Sequence, residues 1–314
     1  MSKRKILVTG GAGNVGGALV KKLVENAENY VVVVDTLGTG FKSKLPDGEK
    51  YKNWMFIKGD VNDFGDISAV MTRYGFDYVF HYAALVGVQR TLDNPTLVLD
   101  DIQGIKNILD LSKNTGVKRV FFSSSSEVYG EPVEFPQNED TTPLNSKLPY
   151  AIVKNVGEAF LKSYKKMYDL DYTIFRFFNT YGPDQSQDFV MAKFINAALR
   201  NQPITLYGDG SQSRTFCYVD DNIEATTNAL YNDLFVNDVV NVGSDIEMSI
   251  KQLAEKIIEM TKSSSRIIHL PALTEGDMTR RKPDISKMKI LLKKEMISVE
   301  TGIQKMIEHI KKSI

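Results

Sequence analysis

The sequence predicts a doubly wound parallel α/β sheet followed by a smaller C-terminal lobe, on three observations. Short β-rich apolar runs alternate with helical stretches through the first half of the chain. Runs such as YVVVVD are Val-rich without alternation, which suits strands covered on both faces. The first run also leads straight into a glycine-rich turn that opens a helix.

The predicted strands are KILVTG, YVVVVD, WMFIKGD, DYVFHYA and VKRVFFSS, and each but the first follows a stretch that reads as a helix. Amphipathic spacing marks the helices at 14–25 and 96–115, and a further helix is expected to start near Tyr150. The stretch 131–149 is polar and Pro-rich and is expected to cross the surface. Beyond about residue 180 the elements shorten, punctuated by Pro183, Pro203, Gly208, Gly210, Pro271 and Pro283. We therefore divide the chain at 1–180 and 181–314, with some later segments returning to the first unit. There is no internal repeat.

Composition excludes several classes. The 314 residues are 42% hydrophobic and 25% charged, ordinary for a globular protein and long enough for a large core. Lys+Arg and Asp+Glu both number 39, so no net field draws the chain to nucleic acid or an anionic membrane. No stretch approaches the roughly 20 apolar residues of a membrane span. The first apolar run is broken by Thr9 and two glycines before it reaches the length of a signal-peptide core. A single cysteine, Cys217, has no internal disulfide partner and fits a reducing compartment. The expected location is the cytoplasm, and no metal is expected.

KILVTGGAGNVGGALVKKL supplies Gly10, Gly13 and Gly16 between a strand and a helix, with Asn14 and Val15 in the same turn. Glycines there let backbone approach a pyrophosphate, whose charge is favoured by free N–H groups at the helix N-terminus. Asp35 ends the next strand, where its carboxylate can accept hydrogen bonds from an adenosine ribose. That acid repels a 2′-phosphate, so NAD is preferred to NADP, although Lys42 and Lys44 lie nearby. Asp60 and Val61 after the third strand, and Ala83 after the fourth, complete the candidate cofactor contacts.

YAIVK places Tyr150 and Lys154 on one helix face. An ammonium beside a phenol favours the phenolate, so a lowered tyrosine pKa is expected. With the nucleotide turn and the serines of VFFSSSSEVYG, this pair completes a pattern that resembles the extended short-chain dehydrogenase/reductases, in particular the nucleotide-sugar epimerases, dehydratases and decarboxylases. VTGGAGNVG, DTLGTG, FRFFNTYGPDQ, ITLYGDGSQSRTFCYVDD and RRKPDISK extend the likeness over nearly the whole chain.

The resemblance implies a Rossmann-like NAD-binding unit carrying the catalytic residues and a nucleotide-sugar-binding lobe. It implies that Ser125 hydrogen-bonds the sugar hydroxyl being oxidised, Tyr150 is the base, and Lys154 positions the nicotinamide ribose. Asn179, Arg214 and Arg281 correspond to substrate contacts around the diphosphate, the loop from Tyr207 to Gly210 resembles one that closes over the nucleotide, and Arg281 also corresponds to an arginine of sugar-acid decarboxylases. A homodimer built on two helices per subunit is implied as well.

Glu127, two residues beyond Ser125, resembles a glutamate carried by dehydratases and decarboxylases. Simple 4-epimerisation needs no further base, whereas chemistry at C5 does. The preferred expectation is dehydration at C5/C6 of a nucleotide-diphosphate sugar, most simply a UDP-sugar, with Glu127 as base and Ser126 beside it. UDP-glucuronate decarboxylation and UDP-sugar 4-epimerisation are the alternatives, and a non-catalytic nucleotide-binding regulator is the alternative of another class. HYAALVGVQR lacks the Ser-Pro-Pro run of glucuronate decarboxylases, and PYAIVK reads more like an epimerase.

Overall fold

Successive residues on a strand point to opposite faces, and the central strands use both faces for burial. Val31 and Val33 enter one apolar core while Val32 and Val34 enter the other. Phe80, Phe121 and Phe175 stack across three neighbouring strands, with ring centroids 4.3 Å and 6.1 Å apart. Each fully buried side chain of this size contributes roughly 1.5–3 kcal/mol. The sheet is thus fixed between two cores, which no one-residue shift of register would preserve.

A computed structural model describes residues 3–271 and 280–312. The first half runs β1 (Arg4–Thr9), α1 (Asn14–Val24), β2 (Asn29–Asp35), β3 (Trp54–Lys58), α2 (Phe64–Tyr74), β4 (Tyr78–His81), α3 (Val88–Asp93), α4 (Pro95–Thr115), β5 (Arg119–Ser125), α5 (Pro149–Tyr168) and β6 (Asp171–Phe177). The second half adds β7 (Thr180–Tyr181), α6 (Val190–Leu199), β8 (Ile204–Tyr207), β9 (Ser213–Thr215), β10 (Cys217–Tyr218), α7 (Val219–Tyr231), β11 (Asp238–Val242), β12 (Glu247–Ser249), α8 (Ile250–Thr261), β13 (Ile267–Leu270), α9 (Ser286–Leu292) and α10 (Val299–Lys311).

Seven strands form a parallel sheet in the order β11-β6-β5-β4-β1-β2-β3. The order reverses between β1 and β4, which opens a crevice at their carboxyl ends where a ligand can lie. β11 comes from the second half and pairs with β6, so the later chain closes the sheet edge.

Helix ends follow local chemistry. Pro95 and Pro149 start α4 and α5 at positions where a missing N–H is harmless. Gly75 and Gly116 end α2 and α4 in the left-handed conformation. One expectation fails: no α-helix precedes β3. Gly38, Gly40, Pro46 and Gly48 interrupt that stretch, leaving a loop with a short 3₁₀ turn at Lys42–Lys44.

A buried ion pair ties α5 to the sheet. Arg176 on β6 donates from Nε and Nη2 to both carboxylate oxygens of Glu158 at 2.9 and 2.7 Å, and both side chains are 2% exposed. Ser124 and Tyr129 complete the network. Truncation of one partner strands the other charge in the interior. Glu158→Ala is expected to lower unfolding free energy by about 3–5 kcal/mol in urea denaturation; a loss no greater than that of a surface substitution contradicts this assignment.

Candidate active site

The turn between β1 and α1 is shaped for close backbone approach. Gly10 has φ +69°, and a Cβ there would lie 2.6 Å from the Ala83 nitrogen. A Cβ on Gly16 would run into the Gly10 carbonyl oxygen. The α1 N-terminus has Gly13 as its cap and no side-chain capping bond, so its first N–H groups are presented to an anion. Asp35 accepts from the Ala12 and Leu37 N–H groups at 3.0 and 2.7 Å. Those two bonds use part of the carboxylate and leave lone pairs for a ribose. Lys42 and Lys44 sit over the rings of Phe56 and Phe41.

A cavity of about 810 Å³ runs from this turn to the end of β5. Gly10, Gly13, Asn14, Val15, Gly16, Asp35, Asp60, Val61 and Ala83 line it, as do Ser125, Ser126, Glu127, Tyr150, Lys154, Asn179 and Arg281. Tyr207 and Arg214 are not among its lining. Tyr207 is 37% exposed on β8, and Arg214 on β9 donates to the Ser213 carbonyl at 2.8 Å. Arg214 nonetheless stays near the site: Asn179 Nδ2 donates to the carbonyl of its neighbour Thr215 at 3.0 Å, and Phe216 lines the cavity.

The four serines divide their work. Ser123 donates to the His81 carbonyl at 3.3 Å, and Ser124 to Glu158 at 2.6 Å. Ser125 receives the Glu127 N–H at 3.2 Å and faces the Tyr150 phenol, which it favours in the ionised form. Ser126 accepts from Arg281 Nη1 at 3.5 Å. The first two fasten the strand end, and the second two face the reactive groups.

Tyr150 departs from the sequence expectation. Its phenol is held above the ordinary value: burial dominates, Ser125 and Arg281 lower it, and Glu127 and Asp101 raise it. Burial also brings Lys154 down to about 8, against the raising field of Asp101. The Lys154 ammonium stands 5.7 Å from the Tyr150 ring centroid and 4.9 Å from that of Phe122. Shared desolvation thus outweighs the stabilisation of phenolate by lysine that the spacing alone suggests. His81 is pushed down to about 3 by burial and by Lys154, so it is neutral.

Arg281 enters this corner from a distant part of the chain. Its Nη1 lies 2.7 Å from Glu127 Oε1, and the side chain is nearly buried. Neighbours fix the segment. Arg280 donates to both oxygens of Glu247 at 2.5 and 2.6 Å and holds that carboxyl down at about 2. The Gln137 N–H donates to the Lys282 carbonyl, and the Asp284 N–H to that of Gln137, both at 2.7 Å. Arg281 is therefore a placed charge and not part of a solvated basic run. Two residues that the sequence patterns did not single out also belong here: Glu158, eight beyond Tyr150 on the same helix face, and Asp101 on the cavity wall.

The model of the NAD dependent epimerase/dehydratase family matches residues 6–243. The chain belongs to this family. A UDP-N-acetyl-α-D-glucosaminuronate decarboxylase of Bacillus cytotoxicus is 36% identical over 98% of this chain and 97% of its own length. The UDP-glucose 4-epimerase of Thermotoga maritima, solved with UDP-glucose, superposes with a TM-score of 0.92 at 32% identity, covering 98% of this chain and 99% of that one. A mutant UDP-glucuronic acid 4-epimerase of Bacillus cereus, in complex with UDP-4-deoxy-4-fluoro-glucuronic acid and NAD, gives a TM-score of 0.89 at 28% identity over 99% and 100% of the two chains. The chain shares the family's NAD dependence, and the glycine cradle, the uncapped α1 N-terminus and Asp35 fit that cofactor.

Two outcomes follow from this arrangement. Tyr150→Phe is expected to lower turnover by about 10²–10⁴ while calorimetry still detects NAD binding; undiminished turnover contradicts the role of the phenol. Tyr150 must act as phenolate beside an ammonium, a form of the pair that carries one proton; since Lys154 titrates at about 8 and Tyr150 well above it, that form builds up through about pH 8, and turnover should rise to a plateau there. A pH–rate profile flat to pH 10 would contradict it.

Proposed function

We propose that this family member decarboxylates a UDP-hexuronate through a transient 4-keto sugar. The observation that carries the reading is the Glu127–Arg281 pair, a buried guanidinium aimed at the residue next to Ser125 and Ser126. A uronate brings a carboxylate to C5, and a desolvated guanidinium is the side chain best suited to receive it. The Bacillus cytotoxicus relative, a decarboxylase of a UDP-linked uronate, supports the same substrate class.

Held at the glycine turn by the α1 N-terminus and Asp35, NAD would supply the hydride acceptor and donor for C4. Tyr150, in its phenolate form, takes the C4 hydroxyl proton, and the C4 ketone makes the uronate a β-keto acid. The C5–C6 bond then breaks, its electron pair passes toward the C4 oxygen, and carbon dioxide leaves. C5 takes a proton, and reduction of C4, with Tyr150 returning its proton to the C4 oxygen, would leave a UDP-pentose. Arg281 orients the carboxylate during these steps. Lys154 keeps a positive charge beside the developing oxyanion.

Dehydration with Glu127 as the C5 base is the second reading. It is favoured by Glu127 Oε2, which is buried and has no hydrogen-bond partner among the described residues. Purified protein incubated in deuterated water with UDP-glucuronate, UDP-N-acetylglucosaminuronate, UDP-glucose and dTDP-glucose separates the outcomes by mass and proton NMR. Loss of carbon dioxide with one deuterium at C5 is expected. Loss of water overturns decarboxylation in favour of dehydration, and a 4-epimer without deuterium overturns both. Arg281→Gln is expected to lower decarboxylation roughly ten- to a hundredfold.

We also read α4 and α5 as a homodimer face, where Leu97, Leu99 and Ile152 are 54%, 43% and 41% exposed. Light scattering should give twice the chain mass; a monomer mass at all concentrations contradicts it.

A further inference from the structure

Three consecutive cations, Arg280, Arg281 and Lys282, lie on a strand-like segment that bridges to Ser213 at Arg280 and to Gln137 at Pro283. Side chains alternate along such a segment, so the first and third share one face and the second takes the other. One carboxylate collects the outer two. Glu247 on β12 receives both Arg280 bonds, and Lys282 Nζ lies 3.4 Å from its Oε2. Arg281 points the opposite way, its Nη1 lying 2.7 Å from Glu127 and 3.5 Å from Ser126 at the cavity.

Glu247 is itself fixed to the strand that borders the cavity. It pairs with Thr215 across the antiparallel β9–β12 ladder, and its Oε1 accepts the Ser213 hydroxyl at 3.2 Å. Thr215 leads to Phe216 on the cavity wall. From the other side the Arg280 guanidinium lies over the Phe135 ring, 4.3 Å from its centroid. Backbone bonds to Gln137 hold the segment from Lys282 onward, whereas at Arg280 the hold is the ladder, the ring and Glu247. Glu247 does not line the cavity, and the steps at C4 and C5 give it no task. Ion pairs as open to solvent as these add little stability one by one. What they decide is orientation: a slip of one residue would turn Arg280 or Lys282 toward the sugar and Arg281 toward Glu247.

We propose that Glu247 is a positioning residue that commits Arg281, in place of either neighbour, to the cavity. A run of cations cannot choose its own orientation, since Arg280 and Arg281 are the same side chain and repel each other. A carboxylate on the adjoining ladder makes the choice by holding the two outer members away from the site. The catalytic consequence rests on Arg281 receiving the uronate carboxylate, whereas the placement itself is independent of the sugar.

The test uses NAD-loaded protein labelled with ¹⁵N-arginine and follows hydrogen exchange at the Arg281 Nε–H, assigned by its loss in Arg281→Lys. The Arg176 Nε–H, bound to Glu158, is the internal reference. Glu247→Gln removes the charge at nearly constant size, and Arg280→Gln removes its partner. Exchange at Arg281 is expected to speed about tenfold in both variants while Arg176 keeps its rate. An unchanged Arg281 rate in Glu247→Gln overturns the proposal. Equal acceleration at Arg176 also overturns it, because the effect then belongs to general loosening. Calorimetry with UDP-glucuronate and UDP reads the consequence: Glu247→Gln is expected to weaken the former relative to the latter about tenfold, and to add no further loss to Arg281→Gln. Losses that multiply overturn the proposal, since Glu247 would then act elsewhere than through Arg281. Should Arg281→Gln leave UDP-glucuronate binding intact while exchange responds as expected, the uronate reading fails and the placement by Glu247 stands.

Discussion

The buried Glu158–Arg176 pair is the constraint on which the reactive corner depends. Tyr150, Lys154 and Glu158 stand four residues apart on α5, so one helix face carries the phenol, the ammonium and the anchor. Glu158 binds Arg176 from β6 and Ser124 from β5, which sets both the rotation of the helix and the height of the serine strand. Gly157 works with it. A Cβ there would meet the Phe122 ring, so the missing side chain lets α5 settle closely on the sheet. A pair of charges this deep is weak evidence for net stability, but it leaves few alternative positions for the groups attached to it.

The same desolvation that makes the corner rigid sets its chemistry. Burial moves the Tyr150 phenol up and the Lys154 ammonium down, so neither group rests at its ordinary value. Their protonation states are consequently governed by the few charges that remain close. Asp101, Glu127 and Arg281 are those charges, and they come from α4, the turn after β5 and a segment near the C-terminus. Zero net charge over the chain is no obstacle, because binding a dianionic ligand depends on placed groups and not on the global field.

Local patterns made the strands, the glycine turn and the Tyr150–Lys154 face legible, because each is encoded within a few consecutive residues. Val-rich runs announced strands buried on both faces. The stretch before β3 departs from the helical expectation because its glycines and Pro46 break any helical run. Long-range pairings were beyond periodicity. Glu127 and Arg281 are separated by about half the chain, and their 2.7 Å contact required the fold to bring the second half back over the cavity. Asp101 was hidden for another reason: on the amphipathic α4 a carboxylate reads as solvent-facing until the cavity beside it is visible. For Tyr207 and Arg214 the motif likeness holds in sequence, while neither lines the cavity and the strand that carries Arg214 reaches it through Phe216.

The central claim is that this corner oxidises the sugar at C4 before anything happens at C5. A single-turnover experiment with UDP-glucuronate carrying deuterium at C4 addresses it directly, following the absorbance of reduced nicotinamide. The account predicts a transient rise in that absorbance that is slower for the deuterated sugar, with the deuterium retained at C4 of the product. Product formed without any absorbance transient or isotope effect, and with C4 deuterium untouched in its rate, would contradict it.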